Sequence, residues 1–198
     1  GLVTFASFVS LVFASLVVSI PFIDANKESI IAADWIKDPF AVEALRANVH
    51  WAGWEFMIGV LLLIATIIFI FLFNRKREYS IYLLLIANVV VLNLIATIYL
   101  PKIERYSQGA AIDFYKSKQN EDCYITTIGF KSYADLYYSK KQPSEDPSHD
   151  DEWLLNGEMT KKVYVVSKVT KKEKLAKYYP QLKLIGEKNG FTFYERFR

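Results

Sequence analysis

Three long stretches without a single charge constrain this chain more than any other feature: GLVTFASFVSLVFASLVVSIPFI (1–23), FMIGVLLLIATIIFIFLF (56–73) and YSIYLLLIANVVVLNLIATIYLP (79–101). At about 1.5 Å per helical residue, each is long enough to cross most or all of a hydrocarbon layer of ~30 Å. In the second, 14 of 18 residues are Leu, Ile, Val or Phe. At roughly −0.3 to −0.6 kcal/mol for each of these near the bilayer centre, insertion is favoured by several kcal/mol. The sequence therefore predicts a membrane domain, residues 1–101, with three transmembrane helices over about 3–23, 54–73 and 79–100. No basic stretch precedes the first run and no small-residue cleavage motif follows it, so it reads as a span and not as a secretory signal. It opens on Gly1 inside apolar sequence, which predicts a piece of a longer membrane protein.

Charge assigns the sides. Arg75-Lys76-Arg77 lies in the short link between the second and third runs, and the excess of basic residues in cytoplasmic loops places it inside. The loop 24–50 carries Asp24, Glu28, Asp34, Asp38 and Glu43 against Lys27, Lys37 and Arg46, so it is net acidic and reads as extracytoplasmic. Everything from residue 102 onward then lies outside as well, in a multi-pass protein of the cytoplasmic (inner) membrane. Residues 102–198 hold 18 basic and 14 acidic side chains, a net +4. In the cytoplasm that balance would invite a nucleic-acid partner; outside the membrane it excludes one and points to anionic headgroups or lipid phosphates.

Within the loop, Asp38-Pro39 is a helix start, with Asp38 as cap and Pro39 in the first turn. It predicts a short interfacial helix over 39–50, anchored near Trp35, Trp51 and Trp54. Glu43, Arg46 and His50 are its candidates for acceptor or lipid contact; the alternative is a plain anchored connector. In the spans, Asn88 and Asn93 are expected to hydrogen-bond across to neighbouring helices, and Ser7, Ser10, Ala14 and Ser15 to permit close packing.

The remainder, 102–198, reads as a small extracytoplasmic α/β domain. Ile103, Tyr106, Ala110 and Phe114 fall at helical spacing, CYITTIG (123–129) is a strand, and Ser132 with Asp135 resembles a capping box for a helix ending near Lys141. VYVVSKV (163–169) is a second strand, Thr170 and Glu173 form a capping box for the next helix, and Asn189-Gly190 marks a hairpin between two final strands. Two successive βαβ crossovers predict a mostly parallel sheet with a C-terminal antiparallel hairpin.

Chemistry is sparse. Cys123 is the only cysteine, which excludes an intramolecular disulfide or a thiolate metal cluster. Glu145, Asp146, His149, Asp150, Asp151 and Glu152 lack the spacing of a calcium loop, so they read as an exposed acidic loop and no metal or other cofactor is expected. Neither His50 nor His149 neighbours a nucleophile motif. Ligands of parallel sheets gather at the carboxyl ends of strands, which makes Gly129, Lys131 and Ser132, beside Lys168 and Thr170, the candidate edge for an anion or a sugar.

The approach ANVHWAGWEF, then IERYSQGAAIDFYKS, CYITTIGFKSYADLYYSKKQP, KKVYVVSK and IGEKNGFTFYERF resemble the C-terminal part of bacterial multi-spanning glycosyltransferases of the dolichyl-phosphate-mannose protein mannosyltransferase and lipid A aminoarabinose transferase superfamily. The resemblance covers nearly the whole chain and its motifs are structural. It implies transfer of a sugar from a polyprenyl-phosphate carrier to a lipid, glycan or protein acceptor outside the cytoplasmic membrane. It also implies a catalytic acid in a loop upstream of this sequence, so no catalytic residue is assigned here, and the carrier-linked donor would be bound through that upstream part. Membrane lipids are the partners expected of this chain itself. A second class of function stays open: a membrane-anchored binding or assembly module without catalytic activity.

Overall fold

The computed structural model describes residues 1–140, 151–158 and 161–196. The chain divides into two compact units, one of Gly1–Ala33 with Asn48–Glu104 and the other of Asp34–Ala47 with Arg105–Arg198. Helices α1 (Leu2–Ala25) and α2 (Lys27–Ala32) open the first, α3 (Pro39–Leu45) belongs to the second, and α4 (Phe56–Leu72) and α5 (Arg77–Leu94) return to the first.

Two helical runs, Val3–Ala25 and Arg77–Ser107, are long and apolar enough to cross a membrane. The second expected span, about 54–73, is present as a helix, but α4 has 17 residues, about 26 Å at 1.5 Å each, and stops short of that length. Small side chains set the packing: Ser7, Ser10 and Ala14 are buried as expected, whereas Ser15 faces outward. A Cβ on Gly59 would sit 2.6 Å from Val18 Cγ2 and 2.7 Å from the Ala14 carbonyl, so α1 and α4 touch at backbone distance. Asn88 and Asn93 do not reach across. Each amide donates to the carbonyl four residues back, Leu84 and Val89, at 2.8 Å, which satisfies it locally in an apolar setting. A π-helical turn, Ile95–Tyr99, leads into α6 (Leu100–Ser107).

The helical spacing expected from Ile103 to Phe114 is met by two helices: α6 ends at Ser107, Gln108 leaves helical geometry, and α7 runs Gly109–Ser117 in the second unit. Strand β1 (Cys123–Ile128), α8 (Ala134–Ser139), α9 (Asp151–Asn156), β2 (Lys162–Lys168), a 3-10 turn (Val169–Lys171), α10 (Lys172–Tyr178), β3 (Lys183–Lys188) and β4 (Phe191–Arg196) follow. Cys123 is buried in β1, and Ser132 Oγ accepts from the Ala134 N–H at 3.1 Å at the start of α8. Thr170 makes no capping box, because the chain enters α10 through the 3-10 turn and Lys171 precedes the helix without a side-chain cap.

The sheet is mixed and not mostly parallel. Its order is β1-β2-β4-β3, with β1–β2 parallel and β2–β4 and β3–β4 antiparallel. The Asn189-Gly190 turn, with φ of 49° and 83°, makes the hairpin, as two residues in the left-handed region should. The more apolar arm, FTFY, then enters beside β2 and is buried along its length; LIGEK is left exposed at the edge, irregular between Leu184 and Gly186. Leu154, Leu155, Val163, Val165, Leu175 and Tyr194 form the core on one face, and Ala110, Ala111, Tyr115, Val166, Phe191 and Phe193 form the core on the other.

Candidate functional site

The carboxyl end of β2 and the tip of the β3–β4 hairpin meet the segment that carries α3. Asp38 Oδ1 accepts from the Phe40 N–H at 2.9 Å and Pro39 occupies the first turn, so α3 starts as its sequence dictates; it ends at Leu45 and does not continue to residue 50. Phe40 packs edge-on against Phe191 with centroids 5.3 Å apart. Gly190 serves two needs here: a Cβ would meet Phe40 Cδ2 at 2.8 Å, and its φ is positive. The Val169 N–H donates to the Gly190 carbonyl at 2.8 Å, joining the exit of β2 to the hairpin tip.

These elements enclose a half-open cavity of about 710 Å³. Ile36, Pro39, Val42, Val169 and Phe191 give it apolar wall, and Asp34, Lys37, Glu43, Glu187, Lys188 and Asn189 give it a polar rim. Every charged rim group has an internal partner. Lys37 lies 2.5 Å from Asp34, Arg46 lies 3.2 Å from Glu43, Lys172 donates to Glu187, and Lys188 lies 3.6 Å from Asp113. Asp113 is also held in a two-pronged contact by Arg105, at 2.7 and 3.0 Å, which lowers its carboxyl below the usual range against the opposing effect of burial.

Of the residues expected from sequence, Glu43 alone lines this cavity, and the structure does not bring the others together there. Arg46 is Glu43's partner. Lys168 does not offer a free ammonium: its Nζ lies 4.4 Å from the Phe40 ring centroid and 5.8 Å from that of Phe130. Gly129, at φ 82°, lies under the Lys171 side chain, whose Cγ would be 2.8 Å from a Cβ there. Lys131 and Thr170 are exposed, and the Ser132 hydroxyl is used at the start of α8. His50 belongs to the first unit, where it lines a separate cavity of about 350 Å³ with Asp24, Asn48 and Trp51. Glu145, Asp146, His149 and Asp150 lie outside the described residues, and among those described no three His, Cys, Asp or Glu side chains converge as a metal set.

The chain is similar to ArnT. Two solved structures carry the match: ArnT from Cupriavidus metallidurans in the apo state, with a TM-score of 0.49, and the same protein bound to undecaprenyl phosphate, with a TM-score of 0.45. In both, identity is 9%, and the match takes in 96% of this chain and 36% of that one. The chain thus spans little more than a third of the proteins it matches. No family model and no curated protein matches it.

Sequence reasoning passed over one buried polar cluster in the first unit. Glu55 is 1% exposed; its carboxylate accepts from the Ala52 and Gly53 N–H groups at 2.8 and 2.9 Å and from Lys102 Nζ at 2.5 Å. The same ammonium donates to the His50 carbonyl at 2.7 Å and lies 4.7 Å from the Trp51 ring centroid. Tyr99 closes the cluster, donating to the Glu55 and Val17 carbonyls at 2.8 and 3.1 Å. The signal was a lone Glu opening an apolar run with a lone Lys closing another, a pairing across distant sequence that periodicity does not reveal.

Proposed function

We propose that this chain is the C-terminal membrane and soluble part of an integral membrane glycosyltransferase that moves a sugar from a polyprenyl-phosphate carrier to an extracytoplasmic lipid, glycan or protein acceptor. The motifs quoted above supply the resemblance, and one structural observation carries the reading furthest. Residues Asp34–Ala47, which lie between the first two apolar helices, are built into the α/β unit and wall its cavity.

Two chain segments that share one folded unit lie on one side of a membrane. The chain between them, residues 48–104, then crosses an even number of times, so if the Arg77–Ser107 run crosses, α4 crosses with it as a pair. A span of about 26 Å is accommodated by slight bilayer thinning and by flanking anchors, at fractions of a kcal/mol per Å of mismatch. Arg75, Lys76 and Arg77 then sit at the cytoplasmic turn, and the cavity faces the extracytoplasmic side. That is the side on which a carrier-linked sugar would meet its acceptor. The upstream part supplies the catalytic acid, and this part supplies membrane anchorage and a walled cavity beside the acceptor's approach.

The test is turnover of a lipid-linked sugar. Membranes containing the full-length protein should deplete radiolabelled undecaprenyl-phosphate sugar, and membranes containing only these 198 residues should leave it intact. A full-length protein with no upstream spans, or one that leaves every carrier-linked sugar tested unchanged, would overturn the reading. The second reading, a membrane-anchored binding module, draws support from the same cavity, whose lining combines apolar wall with hydrogen-bonding groups.

A further inference from the structure

The charges around the unit-two cavity are arranged in a way that selects a class of ligand. The charged lining groups Asp34, Lys37, Glu43, Glu187 and Lys188 are all engaged in ion pairs, with Arg46, Lys172 and Asp113 as partners from beyond the lining and Arg105 as a second partner of Asp113, so each lining charge already has a counter-charge. An anion entering here must displace a carboxylate from its partner, and a cation must displace an ammonium or guanidinium. All of these pairs are solvent-exposed, so an ion that exchanges into one gains no more than the small energy of the pair it displaces. A neutral ligand faces no such exchange. Each carboxylate has about four lone-pair sites and each ammonium three N–H groups, so a paired group keeps hydrogen-bonding capacity for hydroxyls.

The wall between these pairs is apolar, with Ile36, Pro39 and Val42 of the loop segment on one side. Asn189, at the hairpin tip, adds an amide that both donates and accepts. A cavity of about 710 Å³ is too large for a lone ion and falls within the roughly 300–1,000 Å³ that hold small organic molecules. Apolar wall, donors and acceptors together, and no uncompensated charge describe the complement of a sugar ring, which presents C–H faces and a belt of hydroxyls.

We propose that this cavity binds a neutral saccharide of one to a few rings. The choice of envelope-type sugars as probes rests on the transferase reading; the site itself rests on the cavity's geometry and charge pairing. The two can therefore fail separately: carrier-sugar turnover can persist without saccharide binding here, and a saccharide can bind here in a protein that turns over no carrier.

The experiment is saturation-transfer NMR and calorimetry on the full chain in detergent, with N,N′-diacetylchitobiose and mannobiose as neutral probes and inorganic phosphate and spermidine as ionic ones. At least one disaccharide should bind, with an affinity that changes less than about twofold between low and moderate salt, because no charge is exchanged. Val42→Trp, which fills the cavity from its wall, should weaken that binding at least tenfold. Asn189→Gly keeps a backbone that glycine adopts freely and removes only the rim amide; it should weaken binding several-fold with an unchanged melting temperature. Binding of neither disaccharide would overturn the proposal. So would retained affinity in both variants, or tighter, steeply salt-dependent binding of phosphate or spermidine.

Discussion

Glu121 shows how strongly a single side chain of the α/β unit depends on its neighbours. Lys118 Nζ donates to it at 2.8 Å and Tyr164 Oη at 2.5 Å, and these bonds, against the opposing effect of burial, hold its carboxyl at about 2. A carboxyl lowered on folding stabilises the fold above its ordinary value of 4.5, and that stability is lost as pH falls toward 2. The melting temperature should therefore drop on acidification through about pH 4, and Glu121→Gln should flatten that drop while lowering stability at neutral pH. At the buried carboxylate of Glu55, Lys102→Met leaves backbone donors alone and should cost about 3 kcal/mol. Thermal unfolding in detergent measures it. Neither cluster was legible in the sequence, because each pairs residues that only the tertiary fold brings together. Local chemistry was legible: the Asp38 cap, Pro39 in the first turn and Cys123 as a buried strand residue all read directly from their neighbours.

At the scale of elements, the hairpin and helix-start codes of Asn189-Gly190 and Asp38-Pro39 held, whereas the Thr170 capping box and the long-range pairing did not. Asn189-Gly190 specifies its hairpin because two successive positive φ values suit few other dipeptides. Nothing local says which arm of that hairpin pairs with β2. The more apolar arm took the central place, so the sheet expected to be mostly parallel with an antiparallel hairpin is mixed, with one parallel and two antiparallel pairings. The use of Lys168 on the Phe40 ring was not legible, since Phe40 comes from a distant loop. Between α1 and α4, the approach at Gly59 makes a sharp test. Gly59→Leu places side-chain atoms where Val18 and the Ala14 carbonyl already are, and should cost about 3 kcal/mol. Leu61→Phe, which enlarges an exposed side chain of the same helix, should be nearly silent in the same detergent melt.

For the whole molecule, the proposed topology makes a prediction of parity. Reporters inserted near Trp35 and fused after Arg198 should read the same side of the membrane, and one at Asn74 the opposite side. A reporter after Arg198 that matches the one at Asn74 would leave α4 and α5 uncrossed as a pair and remove the basis of the proposed site's location. Hydropathy alone made all three apolar runs look equivalent. Their lengths as helices differ, and it is the shared unit of loop and tail that argues for the shortest of them as a crossing.

The packing of Phe40 on Phe191 also sets an order of events during synthesis. The loop leaves the ribosome about 150 residues before its partner strand, which at roughly 5–20 residues per second is a wait of about 7 to 30 s. Through that interval the apolar side of α3 has no sheet to cover it, and the α/β unit cannot close until its last strand has been made. Chain termination anywhere before β4 would thus leave an early loop as well as a late strand unfolded, so truncations near the C-terminus should be recognised by quality-control proteases at sites around residues 34–47.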